Sequence, residues 1–455
     1  MTFHDTIIAQ ATPVGKGGIG ILRISGIHSE QVAQLILGKI PNPRYATFSS
    51  FKNENNIIID EGIAIWFPGP NSFTGENTLE LQGHGSPLVL DLLCKAILSI
   101  KGIRIANPGE FSERAFLNGK LDLIQAEAIA DLINSNSKKS IQLSLESMKG
   151  VFSNRIHNLV TKIKNIRLKI ESSINFIELE TIQLSKDYIY KKLTSLYKDI
   201  VIIQKQAKTG IIIREGCKVV ITGQPNVGKS SLFNLLCSQN KAIVTNIQGT
   251  TRDVLHEYIN INDVMFHLVD TAGIRIPKNE IEKIGIDLAW NEIYSANHIL
   301  FVIDSNQNSH EKLKVYSNFI KILPKNIKIS LIMNKVDLLN KRQKLLGIDS
   351  KYPILYISSL TGQGIEDLRK HLIQIIKSDQ DNTEGLFLAR RRHLIILNEI
   401  NKLLLINKKN WLLSSNFELL AEDLFIIQKK LGEITGVFNN EKLLDEIFSN
   451  FCIGK

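Results

Sequence analysis

The sequence is poor in cysteine and lacks long apolar runs. Its four thiols, Cys94, Cys217, Cys237 and Cys452, form no Cys-x-x-Cys pair and no zinc-like spacing. This argues against a disulfide scaffold or a structural zinc site and fits a reducing compartment. No basic and apolar leader opens the sequence and no apolar run reaches membrane-spanning length. We therefore expect a cytoplasmic protein without a membrane partner.

Proline is missing from two long stretches. Seven of the eleven prolines lie at or before Pro108, none lies between Pro108 and Pro225, and none follows Pro353. Such stretches permit long helices, and apolar residues recur at helical spacing over residues 121–170 and 394–448. We expect one helical domain with a different fold inserted into it.

The charge is unevenly distributed. The formal net charge is +10, and residues 138–208 carry 14 Lys and Arg against 6 Asp and Glu. Two interpretations stay open, a basic face for RNA or an ordinary solvated helix surface, because we identify no exposed aromatic residues interleaved with these charges. The same choice applies to the arginines at 390–392.

The run GQPNVGKSS, from Gly223 to Ser231, follows a predicted strand and has the spacing of a phosphate-binding loop. Its glycines let backbone N–H groups surround a polyphosphate, Lys229 reaches the β and γ phosphates, and the Ser230 hydroxyl is suited to Mg²⁺. Phosphate is therefore the first ligand to consider.

Two further motifs end predicted strands downstream. Residues 270–273 read DTAG and residues 334–337 read NKVD. The Asp270 carboxylate is placed to hold a metal through water, and Asp337 is placed to accept hydrogen bonds from guanine, which adenine does not offer. The segment 358–360 fits a loop over guanine O6, so the sequence favours GTP over ATP.

The loop 249–253, GTTRD, predicts a switch that the γ phosphate orders. Ile274 stands where many GTPases place the glutamine that orients the attacking water. The groups that are candidates for this role are Arg252, Arg275, Glu280 and Glu282. Asn226 is open to two interpretations, a turn residue or a ligand of a monovalent cation that replaces an arginine finger.

The first 118 residues show short apolar runs between glycines and prolines, which predicts a compact α+β module. Its polar residues near turns are Arg23, Glu80, His84, Arg104, Glu110 and Lys120. Composition alone does not name a ligand for this module.

The chain resembles the tRNA-modification GTPase family MnmE, also called TrmE, over almost its full length. The shared blocks are ATPVGKGGIGILRISG, SFTGENTLELQGHG, PGEFSERAFLNGKLDLIQAEAIADLI, GQPNVGKSS, GTTRD, DTAGIR, EKIGI, NKVD and the final CIGK. The resemblance implies a multidomain α/β and α+β protein. Its expected parts are an α+β folate-binding and dimerisation domain (1–118), an all-α helical domain (119–214 and 379–455) and a Ras-like P-loop GTPase domain (215–378) inserted into it.

The resemblance also implies an activity. A K⁺-dependent GTPase homodimer would act with the flavoprotein MnmG, in a heterotetramer or larger complex. Together they would install an aminomethyl or carboxymethylaminomethyl group at C5 of the wobble uridine of certain tRNAs. The carbon would come from a tetrahydrofolate derivative (5-formyl or 5,10-methylene), GTP hydrolysis would drive the conformational cycle, and FAD would belong to the partner.

Site residues follow by motif match. GTP binding is implied for Asn226, Val227, Gly228, Lys229, Ser230, Ser231, Thr245, Asn246, Ile247, Gln248, Gly249, Thr250, Thr251, Asp270, Thr271, Ala272, Gly273, Asn334, Lys335, Asp337, Ser358, Ser359 and Leu360. The implied Mg²⁺ ligands are Ser230 and Thr251, and the implied K⁺ ligands are Asn226, Thr245, Ile247 and Thr250. Glu282 and Lys229 are the implied catalytic residues. The implied folate-binding residues are Arg23, Glu80, Lys120 and Lys455, with Cys452 as a further participant.

The sequence departs from the family pattern at Lys16, Ser86, Asn107 and Leu360, which bears on affinity rather than identity. Two other functions fit parts of the sequence. A GTP-controlled RNA-binding or ribosome-assembly switch would leave the N-terminal module and Cys452 without a role. A folate-dependent one-carbon enzyme with regulatory GTP would need no separate flavoprotein.

Overall fold

The computed structural model describes residues 4–175, 185–238, 254–271, 280–306, 316–317, 319–324, 327–339, 352–377, 385–438, 441–451 and 454. These residues form two compact units. The first contains residues 1–133, 147–199 and 399–455, and the second contains residues 134–146 and 200–398. The division into segments 1–118, 119–214, 215–378 and 379–455 stays a prediction.

The elements are numbered in chain order. The strands are β1 Thr6–Gln10, β2 Gly17–Gly26, β3 Thr47–Lys52, β4 Ile58–Phe67, β5 Thr78–Gly85, β6 Ile103–Ile105, β7 Cys217–Gly223, β8 Val254–Ile261, β9 Val264–Thr271, β10 His298–Asp304, β11 Lys328–Asn334 and β12 Ile354–Tyr356. The helices are α1 Ser29–Leu37, α2 Pro87–Leu98, α3 Glu110–Leu117, α4 Leu123–Ile133, α5 Lys138–Met148, α6 Val151–Asn175, α7 Lys186–Glu215, α8 Lys229–Ser238, α9 Glu280–Tyr294, α10 Ile365–Lys377, α11 Arg391–Ser414, α12 Phe417–Thr435 and α13 Glu441–Ser449.

The sheet of the first unit has the order β3-β4-β5-β2-β1-β6. Its pairs are antiparallel except for the parallel pair β1 and β6. Alternate apolar residues of β2 and β5, such as Leu22, Ile24, Leu79 and Leu81, are buried with α1 and α2. This arrangement confirms the predicted α+β module.

Long helices fill the rest of the first unit. The apolar series Ile156, Leu159, Ile163, Ile166 and Ile170 is buried along one side of α6, as the 3.6-residue period predicts. Helix α12 packs along α6. The Asn416 side chain caps α12 by accepting a hydrogen bond from the backbone N–H of Leu419.

The sheet of the second unit has the order β12-β11-β10-β7-β9-β8. All its pairs are parallel except β8 with β9. The central strands are apolar along nearly their whole length because helices cover both faces. Ligands of such sheets bind beyond the carboxyl ends of the strands, and β7, β9 and β11 end at the predicted phosphate and base motifs.

Candidate functional site

The loop after β7 has the backbone conformation that a phosphate-binding loop requires. Gly223 and Gly228 have φ values of 148° and 95°, and a Cβ on Gly223 would collide with the Val302 carbonyl. Asn226 also has a positive φ, of 63°. Asparagine tolerates this left-handed conformation better than most residues, so the turn interpretation of Asn226 accounts for its backbone and leaves the function of its side chain open.

Lys229 opens α8 and is 7% exposed. Its ammonium group donates to the carbonyl of Gln224 within the loop, at 2.8 Å. Burial lowers the pKa of Lys229, and the nearby Asp270 acts in the opposite direction. A buried cation held at the mouth of the loop is suited to a polyphosphate, whose charge would offset the desolvation cost.

Ser230 and Asp270 meet at the same place. The Ser230 hydroxyl donates to Asp270 Oδ2 at 2.8 Å, while Oδ1 of Asp270 is buried and has no hydrogen-bond partner among the described residues. Burial raises the pKa of Asp270, against the effects of the Ser230 hydrogen bond and the Lys229 charge. A serine hydroxyl beside an unsatisfied carboxylate oxygen fits Mg²⁺, which takes oxygen ligands and retains several waters.

The base motif, NKVD at residues 334–337, is hydrogen-bonded to the phosphate loop. Asn334 donates to the Val227 carbonyl and accepts from both the backbone N–H and the hydroxyl of Ser359, each at 2.9 Å. Lys335 Nζ donates to the Asn226 carbonyl at 2.8 Å and to Asp304 Oδ2 at 2.7 Å. These contacts bring the ends of β7, β10 and β11 and the segment after β12 into one site.

The base-recognition residues occupy the edge of this site. Asp337 lies exposed in a short 3-10 helix, Val336–Leu338. Ser358 is buried and its hydroxyl accepts from the backbone N–H of Thr361 at 3.2 Å, whereas the neighbouring Leu360 is 87% exposed. Thr271 at the end of β9 instead faces inward and donates to the Ile221 carbonyl at 3.0 Å.

Several predicted site residues lie outside the described part of the chain. These are Thr245, Asn246, Ile247, Gln248, Gly249, Thr250, Thr251, Ala272, Gly273, Cys452 and Lys455. The same holds for Arg252 and Arg275. For Glu280 and Glu282 the structure describes only the backbone, at the start of α9.

A second polar site lies on the sheet of the first unit. Arg23 and Glu80 stand opposite each other on β2 and β5, and Arg23 Nε donates to Glu80 Oε1 at 2.8 Å. The rings of Phe73 and Phe111 each lie 5.9 Å from the guanidinium carbon. Arg23 also approaches the Gly454 carbonyl, at 3.5 Å. A charged pair beside aromatic rings is suited to a flat ligand that carries both donors and acceptors.

The other predicted polar residues of this unit are distributed around the sheet. Lys120 Nζ donates to the Pro70 carbonyl at 3.0 Å. His84 faces Asp60, with 2.7 Å between Nδ1 and Oδ1. Arg104 and Glu110 form an ion pair. None of these contacts unites the six residues in one site.

A buried charge cluster in the first unit has little signal in the sequence. Arg114 is fully buried, and its guanidinium pairs with Asp5, Glu76 and Glu110 at 2.8, 3.2 and 2.9 Å. Only the spacing of Glu110 and Arg114, four residues apart on α3, was a local signal. The other two carboxylates come from distant parts of the chain.

The basic helices carry tyrosines that are half-buried rather than exposed. On α7, Tyr188 lies beside Lys169 and Lys192, and Tyr190 and Tyr197 lie beside Lys408. The run KDYIYKK at 186–192 carried this signal in the sequence.

No helix in the described ranges is long and apolar enough to cross a membrane.

Two family models match the chain: "GTP-binding protein TrmE N-terminus" over residues 6–120 and "MnmE helical domain" over residues 123–452.

Solved structures are similar over part of the chain. The G domain of the FeoB iron transporter from T. maritima is 25% identical, with 35% of this chain and 98% of that one covered and a TM-score of 0.27. Era from Aquifex aeolicus, bound to GDP and AlF4⁻, is 27% identical, with coverages of 41% and 66% and a TM-score of 0.28. The family models, which together span nearly the whole sequence, establish the relationship.

Proposed function

The chain belongs to the MnmE/TrmE family of tRNA-modifying GTPases, and from this we propose a specific reaction. A K⁺-dependent GTPase homodimer acts with the flavoprotein MnmG to install an aminomethyl or carboxymethylaminomethyl group at C5 of the wobble uridine of certain tRNAs. A tetrahydrofolate derivative supplies the carbon. The observation that carries this proposal is that both family models match one chain, in which a phosphate-loop site and the Arg23–Glu80 site occur together.

GTP binding begins at the phosphate loop. Lys229 neutralises the β and γ phosphates, and Ser230 with Asp270 holds Mg²⁺, with Thr251 as a further ligand. Asp337 accepts hydrogen bonds from guanine, and Asn334 keeps the base motif fixed to the loop through Val227. This binding positions the γ phosphate at the end of β9, where hydrolysis requires a water.

Potassium, when bound, would supply the positive charge that an arginine finger otherwise brings to the developing charge between the β and γ phosphates. The side-chain oxygen of Asn226 would hold it, together with Thr245, Ile247 and Thr250. The contact of Lys335 with the backbone carbonyl of Asn226 supports this role, because it fixes the backbone of that residue and leaves the side-chain amide free of this contact.

Glu282 positions the attacking water, since Ile274 has no polar group. We expect Glu282→Ala to lower GTP turnover by about a hundredfold while GTP affinity stays within twofold. Glu292→Ala on the same helix is the control, although its pairing with Lys218 makes a stability measurement necessary. An unchanged turnover in Glu282→Ala would remove this residue from the role.

The tetrahydrofolate derivative binds at the Arg23–Glu80 site. Glu80 accepts from the amino groups of the pterin, Lys120 and Lys455 contact the remaining polar groups, and Cys452 is a further participant. The nearby Gly454 carbonyl supports this arrangement, because it brings the end of the chain to Arg23. We expect Glu80→Gln to weaken folate binding by about tenfold or more in calorimetry, since it removes a charge-assisted acceptor.

One reconstitution tests the whole proposal. The purified protein is incubated with MnmG, the folate donor, GTP, K⁺ and unmodified tRNA, and the nucleosides are analysed by mass spectrometry. We expect C5-modified uridine at the wobble position, and none when MnmG or the donor is omitted. If MnmG proves active with another family member but yields no product with this protein, the proposal is wrong. Product without MnmG would favour a folate-dependent enzyme that acts alone.

A further inference from the structure

A cavity of about 450 Å³ lies between α6 and α7 in the first unit. The polar side chains that line it are Lys162, Asn165, Lys169, Tyr188, Lys192 and Ser195. All six belong to the two long helices, so the shape of the cavity depends on rigid elements. Its volume is in the range that small polar ligands or a segment of a larger ligand occupy.

The charges in this cavity are only partly compensated. Lys162 pairs with Asp199 at 2.7 Å. Lys169 and Lys192 have no ion-pair partner within the described ranges, and instead their ammonium groups lie 4.9 and 5.4 Å from the centroid of the Tyr188 ring. Among the described residues, the cavity therefore presents two cations that no acidic side chain pairs with.

Tyr188 organises these two lysines. Lys169 Nζ donates to the Tyr188 hydroxyl at 2.8 Å, and this hydrogen bond, with the charges of Lys169 and Lys192, lowers the pKa of the hydroxyl. The aromatic face attracts both ammonium groups. Two cations that would otherwise repel each other are thus held at one position, where a dianion or a chain of monoanions would bind.

We propose that this cavity, the α6–α7 lysine groove, binds the phosphodiester backbone of tRNA. Lys169 and Lys192 contact phosphate oxygens, and Asn165 and Ser195 add neutral hydrogen bonds. RNA is the occupant that the chain favours, because the groove lies within the segment 138–208 in which basic residues outnumber acidic ones by 14 to 6. The identity of the RNA as tRNA rests on the proposed function. The groove itself is a site at which this chain contacts the RNA directly.

The test compares tRNA binding by charge-matched variants of the full-length protein. The first is Lys169→Ala with Lys192→Ala, which removes the two cations of the groove. The control is Lys164→Ala with Lys198→Ala, which removes two exposed lysines of the same helices that do not line the cavity. Fluorescence anisotropy with a labelled, unmodified tRNA transcript gives Kd at several salt concentrations.

We expect the groove variant to bind tRNA about tenfold more weakly, and the slope of log K against log salt concentration to decrease in magnitude by about 1.5–2, as the loss of two phosphate contacts predicts. The control variant should bind within about twofold of the original protein. Lys169→Arg with Lys192→Arg should retain the affinity, because arginine also binds phosphate. Basal GTP hydrolysis should be unchanged in all variants and reports that they are folded.

Two results would overturn the inference: an unchanged Kd in the groove variant, or an equal loss in the control. Inorganic pyrophosphate separates RNA from a small anion, since a groove built for a small anion would bind pyrophosphate tightly and leave the tRNA affinity insensitive to the substitutions. The binding assay needs neither MnmG nor folate. A failed reconstitution with intact groove-dependent tRNA binding would therefore refute the proposed reaction and leave the groove assignment standing.

Discussion

The Ser230 hydroxyl donates a hydrogen bond to one carboxylate oxygen of Asp270 at 2.8 Å, and the other oxygen of Asp270 is buried without a partner among the described residues. The two residues come from separate motifs, at the start of α8 and the end of β9. A buried carboxylate oxygen without a donor is costly unless something binds to it. This geometry is consistent with the proposal that the pair holds a hydrated Mg²⁺.

Replacing the Asp270 carboxylate tests this function. Asp270→Asn keeps the shape and an acceptor for Ser230 but removes the charge, so we expect Mg²⁺-dependent GTP turnover to fall by about 10²–10³-fold. Phosphate release is the assay, with thermal unfolding to confirm the fold. Asp287→Asn, at an exposed position of α9, is the control and should keep normal turnover. Turnover within a fewfold of the original in Asp270→Asn would contradict the assignment.

The proposed K⁺ requirement can be tested separately from the backbone conformation of Asn226. Glycine accepts its φ of 63° without strain, whereas alanine would add a backbone cost of about 1 kcal/mol. We expect hydrolysis in K⁺ to exceed that in Na⁺ by at least about tenfold, and Asn226→Gly to be slow and equal in both salts. Stimulation by K⁺ that survives in Asn226→Gly would rule out the side chain as a ligand.

The bridge from Lys335 to the phosphate loop should contribute to nucleotide affinity. Lys335→Ala removes hydrogen bonds to the Asn226 carbonyl and to Asp304. A loss of about 1.5–3 kcal/mol is expected, which is roughly a 10–150-fold weaker Kd for GTP. Titration with a fluorescent GTP analogue measures it. Lys321→Ala, an exposed lysine of the same unit, serves for comparison, and equal affinities of the two variants would argue against the bridge.

The buried cluster around Arg114 should dominate the stability of the first unit. Arg114→Met leaves its carboxylate partners without this cation, and we expect a loss of about 3–5 kcal/mol in the free energy of unfolding. Arg104→Met is the matched case, since Arg104 is 45% exposed and its loss should cost about 1 kcal/mol. Denaturant titration followed by circular dichroism distinguishes the two. A smaller effect at Arg114 than at Arg104 would be inconsistent with this interpretation.

The same cluster predicts an acid-labile fold. Burial opposes ionisation of Glu110 and Asp5, but hydrogen bonds and charges from Arg104 and Arg114 hold the pKa of both carboxyls below their ordinary values of 4.5 and 3.8. A carboxyl group whose pKa is lower in the folded than in the unfolded protein stabilises the fold at pH values above its unfolded pKa. This stabilisation is lost as the pH falls through the folded pKa. The melting temperature should therefore fall steeply below about pH 4.5, and more steeply in the original protein than in Arg114→Met. Parallel pH profiles would contradict this prediction.

The sequence by itself determined the local parts of this protein. The phosphate loop, the strand-end motifs and the helices of the proline-free stretches could be predicted because backbone conformation and helical periodicity depend on neighbouring residues. The order of these motifs also sufficed for the family, which the two family models confirm.

Only the tertiary structure decided which distant side chains meet. Arg23 and Glu80 are 57 residues apart and face each other because of the register of β2 with β5. Glu76 contacts Arg114, and Lys335 contacts the phosphate loop at Asn226. Both contacts join residues that are far apart in the sequence, so no local sequence pattern predicts them. The lysine groove likewise depends on the pairing of α6 with α7. Charged side chains are spaced along the sequence without a strong local preference, so the folded backbone determines their partners.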